Sequence, residues 1–268
     1  MRKYIRVVAT AVLAVIVSGA TLSVFAATSV CTPEQLAAIT NDLAGVYELG
    51  ADIDLGGTDW TPIGNDLAPF TGSFHGNGHV IRNLVCTNNP SANSYRGLFG
   101  KIAGGRVSSV AVEGVVDGSY GNESATDVGV GGFAGKIDSK SLVEGCSFDG
   151  EVANETTCNA GGFVGYTTDS PVILRCRAWG NVDNFSGKSD TGGFVGNHSG
   201  GSITDCCAIM EYSATDNGDA SAGGFAGLVA SARIANSWCS GCVDSRGGDT
   251  SARSSARPIP APPTLRSR

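Results

Sequence analysis

RGLFG (96–100), GGFAG (131–135), GGFVG (161–165), GGFVG (192–196) and GGFAG (223–227) are five versions of one phrase. Their phenylalanines, Phe99, Phe133, Phe163, Phe194 and Phe225, stand 34, 30, 31 and 31 residues apart. A regular period of this length means that one supersecondary unit is stacked on copies of itself. The repeat determines an architecture, and no catalytic arrangement rides on it.

A second register runs inside each unit. After the Phe come Val107, Val143, Ile173, Ile203 and Ile234, and three residues later Val110, Cys146, Cys176, Cys206 and Ser237. Steps of two then give Val112, Phe148, Ala178, Ala208 and Cys239; Gly114, Gly150, Gly180, Met210 and Gly241; and Val116, Val152, Val182, Tyr212 and Val243. Steps of two belong to strands, whose successive side chains point to opposite faces. Composition agrees: Gly makes up 39 of 268 residues, and only 16% are charged. Glycine in strand proteins marks sharp corners, and the scarcity of Leu, Glu and Lys runs argues against helical or leucine-rich repeats of similar period. Propeller blades need about 40 to 45 residues, more than these units supply. One unit cannot close a core alone, whereas stacked neighbours bury each Phe for roughly 1.5 to 3 kcal/mol.

These patterns predict an all-β fold, a parallel β-helix-like solenoid of about seven coils with a short N-terminal capping helix. Residues 1–26 read as an export signal: Arg2, Lys3 and Arg6 precede an apolar run from Val7 to Val17, and Val24-Phe25-Ala26 suits cleavage. Ser18, Gly19 and Thr21 interrupt that run and argue against a spanning helix. Val30, before Cys31, is not the small residue that a lipid-modified cysteine requires. Residues 27–45 form the cap, where Thr32-Pro33-Glu34-Gln35 carries an N-cap, a proline at the first helical position and a glutamine for a capping box. Residues 46–95 form two irregular coils, the first an alternating strand through Tyr47, Leu49, Ala51, Ile53 and Leu55, and 96–246 form five regular ones. Residues 247–268 read as a disordered Pro/Ser/Arg-rich tail. Asp249-Thr250-Ser251-Ala252 resembles Asp219-Ala220-Ser221-Ala222, which leads into a GGF, so a further unit is expected where the tail begins and the chain reads as a shortened piece of a longer repeat protein.

The ADIDL, WTPIG, FTGSFHGNGHVIRNL and RGLFG run followed by GGFVG units, from Tyr47 to Ser245, resembles the GLUG-motif repeat proteins of bacteria. That family comprises secreted or surface-attached polypeptides and includes the forepart of some immunoglobulin A metallopeptidases. The resemblance implies a β-helix-like solenoid on or outside a cell, serving attachment. His75 departs from it, standing where the family commonly has Asp in FDGNGH.

Peptidase chemistry does not carry over, because H-E-x-x-H needs two histidines on one helical face. His75 and His79 are separated by Gly76-Asn77-Gly78, a turn, and His198 is expected alone in a loop. Asp52 and Asp54 lie on the polar side of the first coil, while Asp183, Asp216 and Asp219 fall in loops. A β-helix polysaccharide lyase or hydrolase would need clustered carboxylates on one outer face, and solvated loop residues account for these positions better. Asp216-Asn217-Gly218-Asp219 lacks most of a calcium loop's ligands. Expected catalytic, cofactor-binding and metal sites are therefore none, and no cofactor is expected.

Nine cysteines lie beyond the signal, an odd number that leaves one unpaired in a monomer. Cys146, Cys176 and Cys206 share a repeat position, where parallel side chains suit a buried thiol ladder better than disulfides. A local Cys239–Cys242 bridge stays open. The formal charge of −7 becomes −10 without the three signal cations and −14 without the four tail arginines as well. Such acidity repels phosphate backbones. The sequons at Asn122, Asn154, Asn184 and Asn197 are expected by chance in Asn-, Ser- and Thr-rich loops. The functional expectation is a non-catalytic secreted or cell-surface module binding an extracellular glycan or protein, without nucleic acid or membrane insertion; the alternative is an exported β-helix polysaccharide-degrading enzyme.

Overall fold

The computed structural model describes residues 26–87, 95–119, 128–184, 189–215 and 221–245. The expected signal, apart from Ala26, and the expected tail lie outside the described residues.

Parallel strands stack into four sheets that wind as a solenoid. An eight-stranded isoleucine sheet runs from Thr28–Val30 to Arg233–Ala235, and a seven-stranded sheet of longer strands runs from Ile53–Asp54 to Trp238–Ser245. A five-stranded phenylalanine sheet and a four-stranded glycine sheet complete each regular turn. Registers match the sequence columns: Val143 pairs with Val107 and Ile173, and Phe148 with Val112 and Ala178. Phe133, Phe163, Phe194 and Phe225 form a ladder with centroids 4.6, 4.9 and 4.9 Å apart and planes within 9° of parallel. Phe99 joins it at 5.7 Å and 41°, because the tilted Phe70 and Phe74 rings crowd its other side. Offset or tilted ring pairs of this kind add about 0.5 to 1.5 kcal/mol each beyond burial.

The seven expected coils become about five regular turns, one for each strand of the phenylalanine sheet. Among the described residues, those before Tyr95 add no strand to that sheet and pair with it through the isolated bridges Ile63–Phe99 and Phe70–Ile102. Pro62 and Pro69 flank this passage, and neither can donate to a ladder. The expected alternating strand from Tyr47 to Leu55 is likewise two strands, Val46–Leu49 and Ile53–Asp54, in different sheets. The cap forms as expected over Pro33–Ala37, with Gln35 N–H donating to Thr32 Oγ1. Gln35 Oε1 accepts from Cys31 N–H at 2.7 Å, one residue earlier than in a standard box. Leu36 and Ile39 are fully buried over the first coil.

The three-residue step between the Ile and Cys columns is a corner. Ser109, Gly145, Arg175, Asp205 and Asn236 all turn there with φ between 48° and 63°. A second corner explains the glycine column in the long strands. Gly114, Gly150, Gly180 and Gly241 have φ of 159°, 154°, 122° and 141°, and a Cβ on Gly150 would lie 1.8 Å from Gly114 O. Leu84 and Met210 occupy the same column without that freedom, and at both the register shifts by one extra residue. The bulge corrects the expected column: Ser213, not Tyr212, stands opposite Val182 and Val243. Each turn thus carries a glycine or an insertion at this corner.

Gly150→Ala should cost about 2 to 4 kcal/mol in urea unfolding, from backbone strain plus the clash. Gly150→Met should cost more, and one residue inserted directly after the new methionine should recover much of the loss.

Candidate ligand-binding faces

His198 lies in the strand Val195–His198, not in a loop, because the phenylalanine-sheet strands run on past each GGFVG. It continues the inward ladder of Ile102, Ile137 and Thr167 and is fully buried. Its Nε2 lies 3.3 Å from Arg233 O, so it donates there. The neutral ring that burial favours leaves Nδ1 to accept from Thr167 Oγ1 at 2.6 Å. Burial lowers its pKa.

His75 and His79 stand either side of a turn in which Asn77 and Gly78 have φ of 53° and 81°. His75 Nδ1 lies 3.2 Å from Ser108 Oγ. His79 Nδ1 lies 3.0 Å from Asp52 Oδ1, which also accepts from Val80 N–H, while Arg82 donates to Asp52 Oδ2. The Val80 amide and then His79 hold the Asp52 pKa below the usual carboxylate range. Asp54 accepts from Asn83 and from Gly56 N–H. These groups tie the irregular coil to its neighbour. Among the described residues no group of three or more His, Cys, Asp or Glu side chains could hold a metal ion.

Asp183 lies in the strand Arg177–Asn184 rather than a loop, because the long strands extend past the Val column. Asp216, Asp219 and Asn122 lie outside the described residues. Asn154 and Asn184 are fully buried on adjacent rungs, with Asn154 Nδ2 donating to Asn184 Oδ1 at 3.1 Å. Asn184 donates onward to Ser189 and Thr191 hydroxyls, and Asn154 to the Thr156 and Cys158 carbonyls. An amide ladder of this sort satisfies corner backbone that water cannot reach. Cys146, Cys176 and Cys206 are buried free thiols, and burial raises the Cys176 pKa. Cys176 and Cys206 thiols donate to the carbonyls of Leu174 and Thr204. Cys239 is a free thiol.

Two outer faces carry concentrated chemistry. On the phenylalanine sheet, Lys101 reaches Asp66 at 2.9 Å and Asp138 at 3.2 Å. Lys136 lies 4.9 Å from the Tyr166 ring centroid and 5.7 Å from that of Tyr95. Asp66 is held low by Lys101. Those charges satisfy one another. No repeat position marked them, because Lys101, Lys136, Tyr166 and Asn197 are three residue types in one column.

On the long-strand sheet the outer columns are Glu113, Asp149, Trp179, Ile209 and Ser240, and beside them Ala111, Ser147, Arg177, Cys207 and Trp238. Trp179 and Trp238 are 47% and 44% exposed, whereas Trp60 is buried and donates to Leu98 O. Alternation with the buried Ala178, Ala208 and Val182 was the sequence signal for this face.

No family model matches the chain. It is 34% identical over 158 residues to a protein named Halomucin from Haloquadratum walsbyi, a match covering 56% of this chain and 2% of that protein. This chain therefore spans a small fraction of that relative's length. Among solved structures, a candidate immunoglobulin A1 protease from Bacteroides ovatus superposes with a TM-score of 0.60 at 19% identity, over 82% of this chain and 77% of its own. That likeness establishes a shared β-solenoid fold. A chain described as IgA1 Protease has a TM-score of 0.44 at 17% identity, over 81% of this chain and 21% of its own.

Because His198 is neutral when buried and its unfolded pKa is about 6.5, the unfolded chain takes up the extra proton. Stability should therefore fall as pH drops through about 6.5 toward the lower folded value. His198→Thr, matching Thr167 below it, should remove that component in urea melts at pH 7.5 and 5.5; an identical pH dependence in both proteins would contradict the assignment.

Proposed function

We propose that the chain is a GLUG-type repeat module acting outside the cell, secreted or held on a surface, which binds an extracellular glycan or protein and has no catalytic role. The observation that carries this reading is the outer surface of the column. Its sheets offer flat strand faces in which side chains from successive turns align, the form that repeat proteins use for extended binding surfaces. Its concentrated charges are held in mutual contacts, as with Lys101 between Asp66 and Asp138, instead of standing free around a bond to be broken. The match to part of a much longer relative suits a module that works as one segment of a larger architecture. Nothing in this reading needs a nucleic acid, a cofactor or membrane insertion.

One observation favours the second reading, an exported enzyme acting on polysaccharide. Glu113 and Asp149 stand on adjacent rungs of an outer face, and paired carboxylates are the working groups of glycoside hydrolysis. Glu113 is, however, engaged by Arg82 at 3.6 Å, and both carboxylates lie on an open strand face. A reducing-sugar assay across plant and bacterial polysaccharides, with and without divalent metal, separates the readings. Binding on a glycan or host-protein array without product release is the expected result. Release of reducing ends above background would establish the enzyme instead.

A further inference from the structure

We propose that Trp179 and Trp238 form a stacking platform for a neutral polysaccharide chain. The inference rests on the binding-module reading and names its ligand class and site. Both indoles project from the outer face of the long-strand sheet and are about half exposed. Trp238 shares a column with Arg177 and Cys207, and Trp179 stands in the neighbouring column with Ile209 and Ser240. The two are two rungs and two residues apart, about 12 Å between Cα atoms at parallel-sheet spacings. Stacked strands hold that separation, and the half-buried Ile209 and Cys207 stand between them in register.

The surroundings select the occupant. A lipid or an apolar protein surface would want a dry rim, but here the indoles are interleaved with groups that make hydrogen bonds. Arg177 and Asp149 adjoin Trp179 along and across the strands, and Ser240 lies beyond Ile209. Flat apolar rings alternating with donors and acceptors match a sugar chain, whose ring faces carry C–H groups and whose edges carry hydroxyls. The charge balance narrows the class further. Glu113 and Asp149 share this outer face with Arg82 and Arg177, and Glu151 and Asp183 follow just past its glycine corner, so the acidic excess would repel uronic or sulfated chains. A neutral glycan meets no such penalty.

The test is affinity electrophoresis and calorimetry of the full chain with mixed-linkage β-glucan, xyloglucan and chitooligosaccharides, and with polygalacturonate as the anionic comparator. At least one neutral glycan should retard the protein, and polygalacturonate should not. Trp179→Ala and Trp238→Ala should each weaken binding about tenfold or more, as truncated aromatic anchors do. Trp179→Tyr should keep most of the affinity, and Leu67→Ala, an exposed apolar residue off this face, should leave it unchanged. Circular dichroism checks that each variant is folded. Glycan binding that survives both alanine variants would overturn the platform while leaving the module reading intact. Retention of polygalacturonate alone, failure of every neutral glycan, or a dimer that either alanine variant dissociates would also overturn it. Release of reducing ends from a glycan whose binding still depends on both indoles would support the platform and count against the non-catalytic reading.

Discussion

Each residue of this solenoid lies above and below a counterpart whose backbone follows the same path, at the ~4.8 Å spacing of hydrogen-bonded strands. That constraint underlies the rest of the structure. A position that is comfortable in one turn must be comfortable in every turn, so the chain reuses phenylalanine under phenylalanine and isoleucine under isoleucine. Where a turn departs, its neighbours adjust. Phe99 tilts by 41° against Phe133 because Phe70 and Phe74 crowd it, whereas the inner rings of the ladder lie nearly parallel. Core stability and repeat regularity are one physical fact here, since a ring out of column would lose its stacking partners on both sides.

The same constraint governs the corners, which give the column its cross-section and aim the outward side chains. The long-strand corner is made by glycines at φ between 122° and 159°, or, at Leu84 and Met210, by a residue more. The extra residue at Met210 restores the strand path beyond it, so that Thr215 still pairs with Asn184. The Ile-to-Cys corner has a different tolerance, accepting Ser, Gly, Arg, Asp and Asn in the left-handed region. The outer face bearing Trp179 and Trp238 is flat because the corners on either side recur without drift.

Much of this was legible in the sequence, for reasons that differ by feature. The Phe, Ile and Cys columns could be read because burial demands apolar residues at a fixed period. The cap could be read because a capping residue, proline and glutamine have local jobs. Other features left no such mark. The corner of Ser109, Gly145, Arg175, Asp205 and Asn236 uses five residue types, so only the unexplained step of three pointed to it. His198 looked like a loop residue because a polar side chain in an apolar column breaks the pattern; its partners Thr167 and Arg233 are 31 and 35 residues away. Asn154 and Asn184 looked like chance sequons, and their ladder appears only once the rungs are stacked. The coil count was overestimated because the apolar residues around Pro62 and Pro69 keep the period without keeping the strands.

The in-register ladder is tested most directly by nuclear Overhauser contacts between phenylalanine rings in selectively labelled protein. Strong contacts are predicted from the Phe163 ring to those of Phe133 and Phe194, whose centroids lie 4.6 and 4.9 Å away. No direct contact is predicted between Phe133 and Phe194. A Phe163 ring that touched only residues of its own turn would contradict the stacked column.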